Sequence, residues 1–308
     1  MKSEPHAAPG TREAREQARI RRRAFLDRLT WGMVLALFVC TCFLAHSAFA
    51  GVQHSELTVA FLDVGQGDAV FIETPSGRQV LIDGGKNRAV LSALADVMGF
   101  RDRSLDVVIA THPDLDHIGG LPHVFTRYDV SMALEPGVLD VGADYEAFIS
   151  AVHAEGLEPI LGRAGMKLEL EEGITLQLLF PQGDASRMEA NSASIVLRLT
   201  YGETSFLFMG DAPVAIERYL TAQYASGLQS DVLKLGHHGS KTSTSEEFLV
   251  VVSPEHAVVS AGCHNQYGHP HAVVLGRLEV QGVAVWDTCT EGTVVFQSDG
   301  MRTHAVRN

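Results

Sequence analysis

Four short apolar runs in this 308-residue chain each end on an acidic or imidazole side chain beside glycine. That repeated design limits the possible folds more than any other feature of the sequence. The densest case is Val107-Val108-Ile109-Ala110, which runs into Thr111-His112-Pro113-Asp114-Leu115-Asp116-His117-Ile118-Gly119-Gly120. The others are Val80-Leu81-Ile82-Asp83-Gly84-Gly85, Phe206-Leu207-Phe208-Met209-Gly210-Asp211 and Val232-Leu233-Lys234-Leu235-Gly236-His237-His238-Gly239-Ser240. A short continuous apolar run bounded by glycine reads as a strand covered on both faces. Alternate side chains of a strand share a face, so His112 and Asp114 project to the same side, and the following turn aims Asp116 and His117 at a second point. Imidazole and carboxylate are the donor set of zinc and related divalent ions. Singly, an Asp beside Gly is an ordinary turn residue and a His pair is an ordinary surface feature. Four such tips converging on one sheet edge build a two-metal site.

The surrounding pattern fits strands stacked with helices. Strands are predicted over 57–63, 69–74 and 79–83, with Pro75-Ser76-Gly77-Arg78 as the turn between the last two. A helix is predicted over 87–98 from the spacing of Val90, Leu91, Leu94 and Val97, with Asn87 as cap and Gly99 as stop. A short strand over 106–110 follows. Further strands are predicted over 174–180, 193–200, 204–209, 231–235, 257–260, 283–286 and 293–297, and helices over 145–155, 213–224, 245–252 and 271–281. No internal repeat or low-complexity linker interrupts this region, so 51–308 is expected to be one α+β domain of two packed sheets with helices outside.

The first fifty residues have a different character. Residues 1–30 hold eight Lys/Arg against four Asp/Glu, and 31–50 hold no charged side chain. A basic region, an apolar stretch and the small-residue ending Ala48-Phe49-Ala50 form a secretory signal with cleavage after Ala50, or an uncleaved anchor of about bilayer length. Either reading keeps 1–30 as a basic cytoplasmic arm and places 51–308 across the membrane, in the periplasm or outside the cell. The body then carries 16 basic and 33 acidic side chains, a net of −17 within a whole-chain −13. Such acidity argues against sequence-independent DNA binding through broad charge attraction, so any phosphate chemistry must draw positive charge from bound cations. Two of the four cysteines, Cys263 and Cys289, lie in the body and are either a disulfide or two buried thiols. The absence of a C-x-x-C pair excludes a Cys₄ zinc site.

The body resembles the metallo-β-lactamase-fold superfamily, and within it the hydrolase domain of ComEC-type DNA-internalisation proteins. The resemblance runs from about Glu56 to Ser298. It rests on Phe61-Leu62-Asp63-Val64-Gly65-Gln66-Gly67-Asp68, the segments ending at Asp83, His117, Asp211 and Ser240, Asn191-Ser192-Ala193-Ser194, and Asn265-Gln266-Tyr267-Gly268-His269-Pro270. It implies a four-layer αββα sandwich preceded by one N-terminal apolar helix. It also implies that Asp83 orients the ligand loop, that His112 and Asp114 hold one ion, and that Asp116, His117 and His237 hold a second, with Asp211 bridging. His237 is favoured over His238 as the nearer to its strand. Asp114 stands where the superfamily usually has a second His, and Asn191 stands where a third-motif His is usual. The first site is therefore oxygen-rich, which brings manganese into contention with zinc.

The function expected is an exported hydrolase using two divalent ions, most simply a phosphodiesterase or nuclease acting on DNA. Asp116 would orient or deprotonate the attacking water, and His238 and His269 would hold a phosphate oxygen or protonate the leaving group. Lys234, Ser240 and Asn265 are the substrate-binding candidates, and Asp63, Asp68 and Asn191 are supports of their turns. The alternatives are hydrolysis of a small phosphodiester, lactone or amide, and a non-catalytic accessory that binds DNA or a protein partner.

Overall fold

The computed structural model describes residues 12–49, 56–99, 101–139 and 142–306. The chain divides into two compact units, 1–53 and 54–308. In the first, one helix runs unbroken over Arg12–Phe49. Its stretch Ala14–Phe43 is long and apolar enough to cross a membrane. The basic arm is thus helical from Arg12 onward, as suits a segment rich in Ala, Arg, Glu and Gln, all good helix formers. The expected cleavage point after Ala50 lies outside the described residues.

The second unit is built on two sheets. The order in the first is 303–306, 294–298, 57–61, 70–73, 79–82, 107–109, 133–135, 160–161. Its strands are antiparallel as far as Gln79–Ile82 and parallel from there on. The second sheet runs 284–287, 256–259, 232–234, 204–208, 196–201, 174–180, 167–171, parallel among the first four and antiparallel beyond.

Period-two alternation sorts the side chains into three apolar layers. Val59, Phe61, Ile72 and Ile82 of the first sheet meet Leu197, Leu199, Phe206 and Phe208 of the second in the central core. The intervening Ala60, Phe71, Leu81 and Val108 face away and pack under the helices Ala89–Val97, Leu121–Arg127 and Ala143–Ala154. Leu207, Leu233, Ala257 and Val259 do the same on the far side, under Val214–Tyr224, Glu246–Val252 and Ala272–Val280. The result is the four-layer αββα sandwich. Burial on both faces explains why the strands read as continuous apolar runs. Each large core side chain contributes roughly 1.5–3 kcal/mol by leaving water.

Parallel neighbours bring their C-terminal ends together. Ile82 pairs with Ile109 in one sheet and Phe208 with Lys234 in the other. The four polar tips therefore emerge along one rim of the sandwich, two from each sheet.

Candidate metal centre

Beyond Ile82 the chain turns sharply at Asp83, whose φ of 60° is uncommon for a residue with a side chain. The buried Asp83 carboxylate spends all of its capacity on the neighbouring strand end. Oδ1 accepts from the Thr111 N–H at 2.7 Å, and Oδ2 accepts from the Thr111 hydroxyl at 2.7 Å and from His117 Nδ1 at 2.8 Å. It fixes His117, whose Nε2 faces the centre, and Thr111, whose hydroxyl in turn holds the His112 ring. The turn Leu115–Ile118 then folds back against the 63–68 loop, where Asp68 N–H donates to the Asp116 carbonyl at 3.1 Å. Gly67 makes that approach possible, because a Cβ there would lie 2.1 Å from the Asp116 oxygen. In the second sheet Asp211 follows Thr204–Phe208, and His237 N–H donates to the Gly210 carbonyl at 3.0 Å, tying the two tips to each other.

Four imidazoles point their Nε2 atoms at one carboxylate. From the Asp211 oxygens, His117 lies at 3.2 Å, His237 at 3.6 Å, His238 at 3.7 Å and His112 at 3.9 Å. His112 Nε2 is also 3.7 Å from Asp114, and His238 Nε2 is 3.3 Å from Asp116. The tautomers follow from the opposite ring nitrogens. His238 Nδ1 donates to the Ser260 carbonyl at 2.9 Å and His117 Nδ1 donates to Asp83. The Thr111 hydroxyl gives its proton to Asp83 and so accepts from His112 Nδ1 at 3.0 Å. In the neutral ring each Nε2 then carries a lone pair. Buried polar atoms are normally hydrogen-bonded, yet His112 Nε2, His117 Nε2, His238 Nε2 and Asp211 Oδ1 are buried without a hydrogen-bond partner. Lone pairs converging inward, with the outer nitrogens pinned by carbonyl or carboxylate, are the arrangement of a divalent-metal centre. The donor set present here fits one.

The electrostatics show the same demand for cations. Burial works against charge on Asp211, but His238 and His117 outweigh it and hold the carboxyl well below its ordinary range. Burial also opposes charge on His117 and His238. Asp211 and Asp83 nonetheless push His117 well above the usual imidazole range, and Asp211 and Asp68 raise His238 to about 9. A divalent ion held here would supply the positive charge that these buried carboxylates favour.

The structure brings His112, Asp114, Asp116, His117, Asp211, His237 and His238 together at this rim. The two adjacent histidines are not equivalent. His238 is sealed and faces Asp116, whereas His237 is part-exposed, with Nδ1 bonded to the Thr242 hydroxyl at 3.2 Å. Both have φ above 50°, a reversal that sends the second histidine inward. Asp68, read as a turn brace, lies inside the cluster: its carboxylate, His117, Asp211 and His238 each place a ligand atom within 4.8 Å of the others.

Three substrate-binding expectations need correction or refinement. Lys234 does not face a substrate: its Nζ is buried, donating to Asp68 Oδ2 at 2.8 Å and to the Leu235 carbonyl at 3.0 Å. Its position in the strand turns it under the centre. Ser240 is buried, and its hydroxyl accepts from the Thr242 hydroxyl at 2.9 Å. Asn265 uses its amide to pin its own loop, donating to the Gly262 and His269 carbonyls, while it also lines a cavity beside Asp116. His269 sits 5.5 Å from the His237 ring, and burial, then His238 and His237, lower its pKa to about 4. Asp63 accepts from Gly65 N–H within the first turn, and Asn191 opens the turn Asn191–Ala193 with a buried, unpartnered Oδ1. Cys263 and Cys289 form a disulfide, with Cα atoms 5.0 Å apart. Sequence reasoning missed the Ser260 carbonyl, for which no signal exists, since any residue supplies that group.

Residues 62–264 match the family model described as the metallo-beta-lactamase superfamily. The chain is 32% identical over 263 residues to "ComE operon protein 3" of Bacillus subtilis (strain 168), covering 79% of this chain and 33% of that protein. It is 32% identical over 246 residues to "Competence protein ComA" of Neisseria gonorrhoeae, covering 80% and 33%. The chain thus spans about a third of the length of these relatives. Among solved structures, the metallo-beta-lactamase fold protein YhfI from Bacillus subtilis superposes with a TM-score of 0.55 at 14% identity, covering 79% of this chain and 100% of that one. Sequence, fold and the converging imidazoles thus agree: this chain belongs to the metallo-β-lactamase superfamily.

Proposed function

We propose that this protein is a two-metal hydrolase that cleaves phosphodiester bonds in DNA at the outer side of the cytoplasmic membrane, in the service of DNA uptake. The observation that carries the reading is the convergence of four Nε2 atoms on Asp211 from two different sheets. The DNA-uptake link rests on the competence relatives.

His112, Asp114 and Asp211 would hold one ion, and Asp116, His117, His238 and Asp211 the other. His238 is preferred to His237 because it is buried and faces Asp116. Bound there, divalent ions supply Lewis acidity toward a phosphoryl oxygen and a water acidic enough to attack near neutral pH. Zinc is the first choice for this imidazole-carboxylate set and manganese the second. The protein's own part is positional. Asp83 and Ser260 hold imidazole rings in their tautomers, so no reorganisation is needed at reaction. The part-exposed Asp116 carboxylate would orient the attacking water or accept its proton, and His269, beside the His237 ring, would flank the substrate side. The acidic body confines contact with DNA to a short stretch at the centre. The same acidity favours a second reading, hydrolysis of a small phosphodiester.

Metal analysis of the full chain should find two zinc or manganese ions, with hydrolysis of single-stranded DNA and bis-p-nitrophenyl phosphate that is lost in Asp116→Ala. Metal-loaded protein inactive on both substrates would overturn the proposal; activity on the small diester alone would select the second reading. The helix Arg12–Phe49 is proposed to export or anchor the body. N-terminal sequencing decides between them, because a start at Gly51 means cleavage and an intact 31–50 means an anchor.

A further inference from the structure

We propose that the cavity beside Asp116 is a nucleotide subsite, in which Tyr267 stacks on one base of a single strand while Lys86 meets the adjoining backbone phosphate. This deepens the phosphodiesterase reading and rests on it. The cavity measures about 340 Å³ and is lined by Gln66, Lys86, Leu115, Asp116, His264 and Tyr267 among others. Its volume falls within the roughly 300–1,000 Å³ of small-molecule pockets. Asp116 is shared with the metal centre, so whatever fills the cavity lies next to the reacting bond.

The lining matches the parts of a nucleotide. Tyr267 is 56% exposed, and its ring lies nearly parallel to His269, 24° between planes and 5.6 Å between centroids, so one face is supported. Leu115 offers an exposed apolar lip, and Lys86 is exposed at the rim of a body with net −17. An exposed cation placed there on so acidic a body offers a backbone phosphate a favourable neighbour.

The platform is held still. Asn265 Oδ1 accepts from the Tyr267 and His269 N–H groups at 3.2 and 2.9 Å, while its Nδ2 donates to the Gly262 and His269 carbonyls. Gly262 N–H donates to Gln66 Oε1 at 3.1 Å, and the Cys263–Cys289 disulfide fastens the loop's base. A preordered aromatic loses little freedom on binding. Bases in a duplex are already stacked on both faces, so an aromatic platform selects single strands.

The test is binding of a fluorescein-labelled oligothymidylate to the full chain in detergent with EDTA present, followed by anisotropy, so that no turnover is involved. Tyr267→Ala should weaken binding by about tenfold, as expected for loss of one base–aromatic stack, while Tyr267→Phe binds as the parent does. Lys86→Met should weaken binding and lower the salt dependence by about one counterion. A strand with abasic spacers should bind the parent as weakly as oligothymidylate binds Tyr267→Ala. Equal binding by Tyr267→Ala, or of the abasic strand or a duplex of the same length, overturns the subsite. If the parent both binds and cleaves DNA but Tyr267→Ala changes nothing, the subsite alone falls. If the parent neither binds nor cleaves any strand, the nuclease reading falls with it.

Discussion

Lys234 Nζ lies 2.8 Å from Asp68 Oδ2, with both side chains buried directly beneath the His/Asp cluster. Asp68 also sits 3.0 Å from His238 Nδ1. Burial resists its ionisation, but Lys234 and then His238 overcome this and hold its pKa at about 2. Removing the ammonium takes away the strongest charge that offsets burial of this carboxylate and leaves the imidazoles alone to do so, at a cost of up to about 3–5 kcal/mol. Lys234→Met should therefore lower the melting temperature sharply, and adding Asp68→Asn should recover part of the loss. A single variant that melts like the parent would show that the pair does not support the fold.

Asp83 reaches the centre only through other residues. Asp83→Asn replaces an acceptor of three hydrogen bonds with a group that must also donate, which unsettles His117 and Thr111 together. The fold should persist while metal affinity falls about 10–100-fold. Competition with a chromophoric chelator reads that difference directly. Unchanged affinity would mean that His117 keeps its orientation without the carboxylate.

Gly67 has a φ of 125° and leaves no room for a side chain beneath the Asp116 carbonyl. In Gly67→Ala the added carbon would lie 2.1 Å from that oxygen, so the 115–118 turn must move. Loss of bound metal and of hydrolysis, with near-native circular dichroism, is the expected result. Full metal content in the alanine variant would contradict it.

Glu217 lies away from the metal ligands and gives a pH signature of its own. Its carboxylate accepts from the Ser245 N–H at 2.9 Å and from the Thr244 N–H, at a residue whose φ is 56°. Burial nevertheless raises its pKa above the ordinary 4.5, with Ser245, Thr244 and Arg277 only partly offsetting it. The folded chain thus keeps this proton to higher pH than the unfolded chain does. The resulting stability is fully present below the ordinary carboxyl pKa and is lost as pH rises through the elevated one. Melting temperatures taken across that window should move in favour of Glu217→Gln as pH increases. Parallel curves for the two proteins would sink this assignment.

The Cys263–Cys289 bridge closes a separation of 26 residues, which corresponds to about 2–4 kcal/mol in the chain-entropy view. Replacing both residues by serine should lower stability by that order and loosen the 262–270 loop. Faster proteolysis within that loop would report the second effect. A double variant as resistant and as stable as the parent would assign the bridge no structural work.

Much of this was legible in the residues, for identifiable reasons. The strands Leu57–Phe61, Gln79–Ile82, Thr204–Phe208 and Val232–Lys234 are buried on both faces, so unbroken apolar runs announced them. Lys167–Glu171 was not predicted, although Leu168 and Leu170 alternate with charges: it is an edge strand with one wet face, and so short an alternation also suits the surface of a helix. Ala133–Glu135 and Ile160–Leu161 are too short to show any period. His237 is nearer its strand than His238, yet left-handed backbone at both residues turns the second one inward. Lys234 has the look of a phosphate ligand until the facing Asp68, 166 residues earlier, is seen to claim it.

His112, Asp114, Asp116 and His117 follow strands of the first sheet, whereas Asp211, His237 and His238 follow strands of the second. Neither half of the domain carries the whole of the proposed ligand set. The centre therefore works as a clasp across the seam of the sandwich. Two fragments divided between 139 and 174 would each carry an incompetent half, and regained ion affinity on mixing them would report that the halves had found one another.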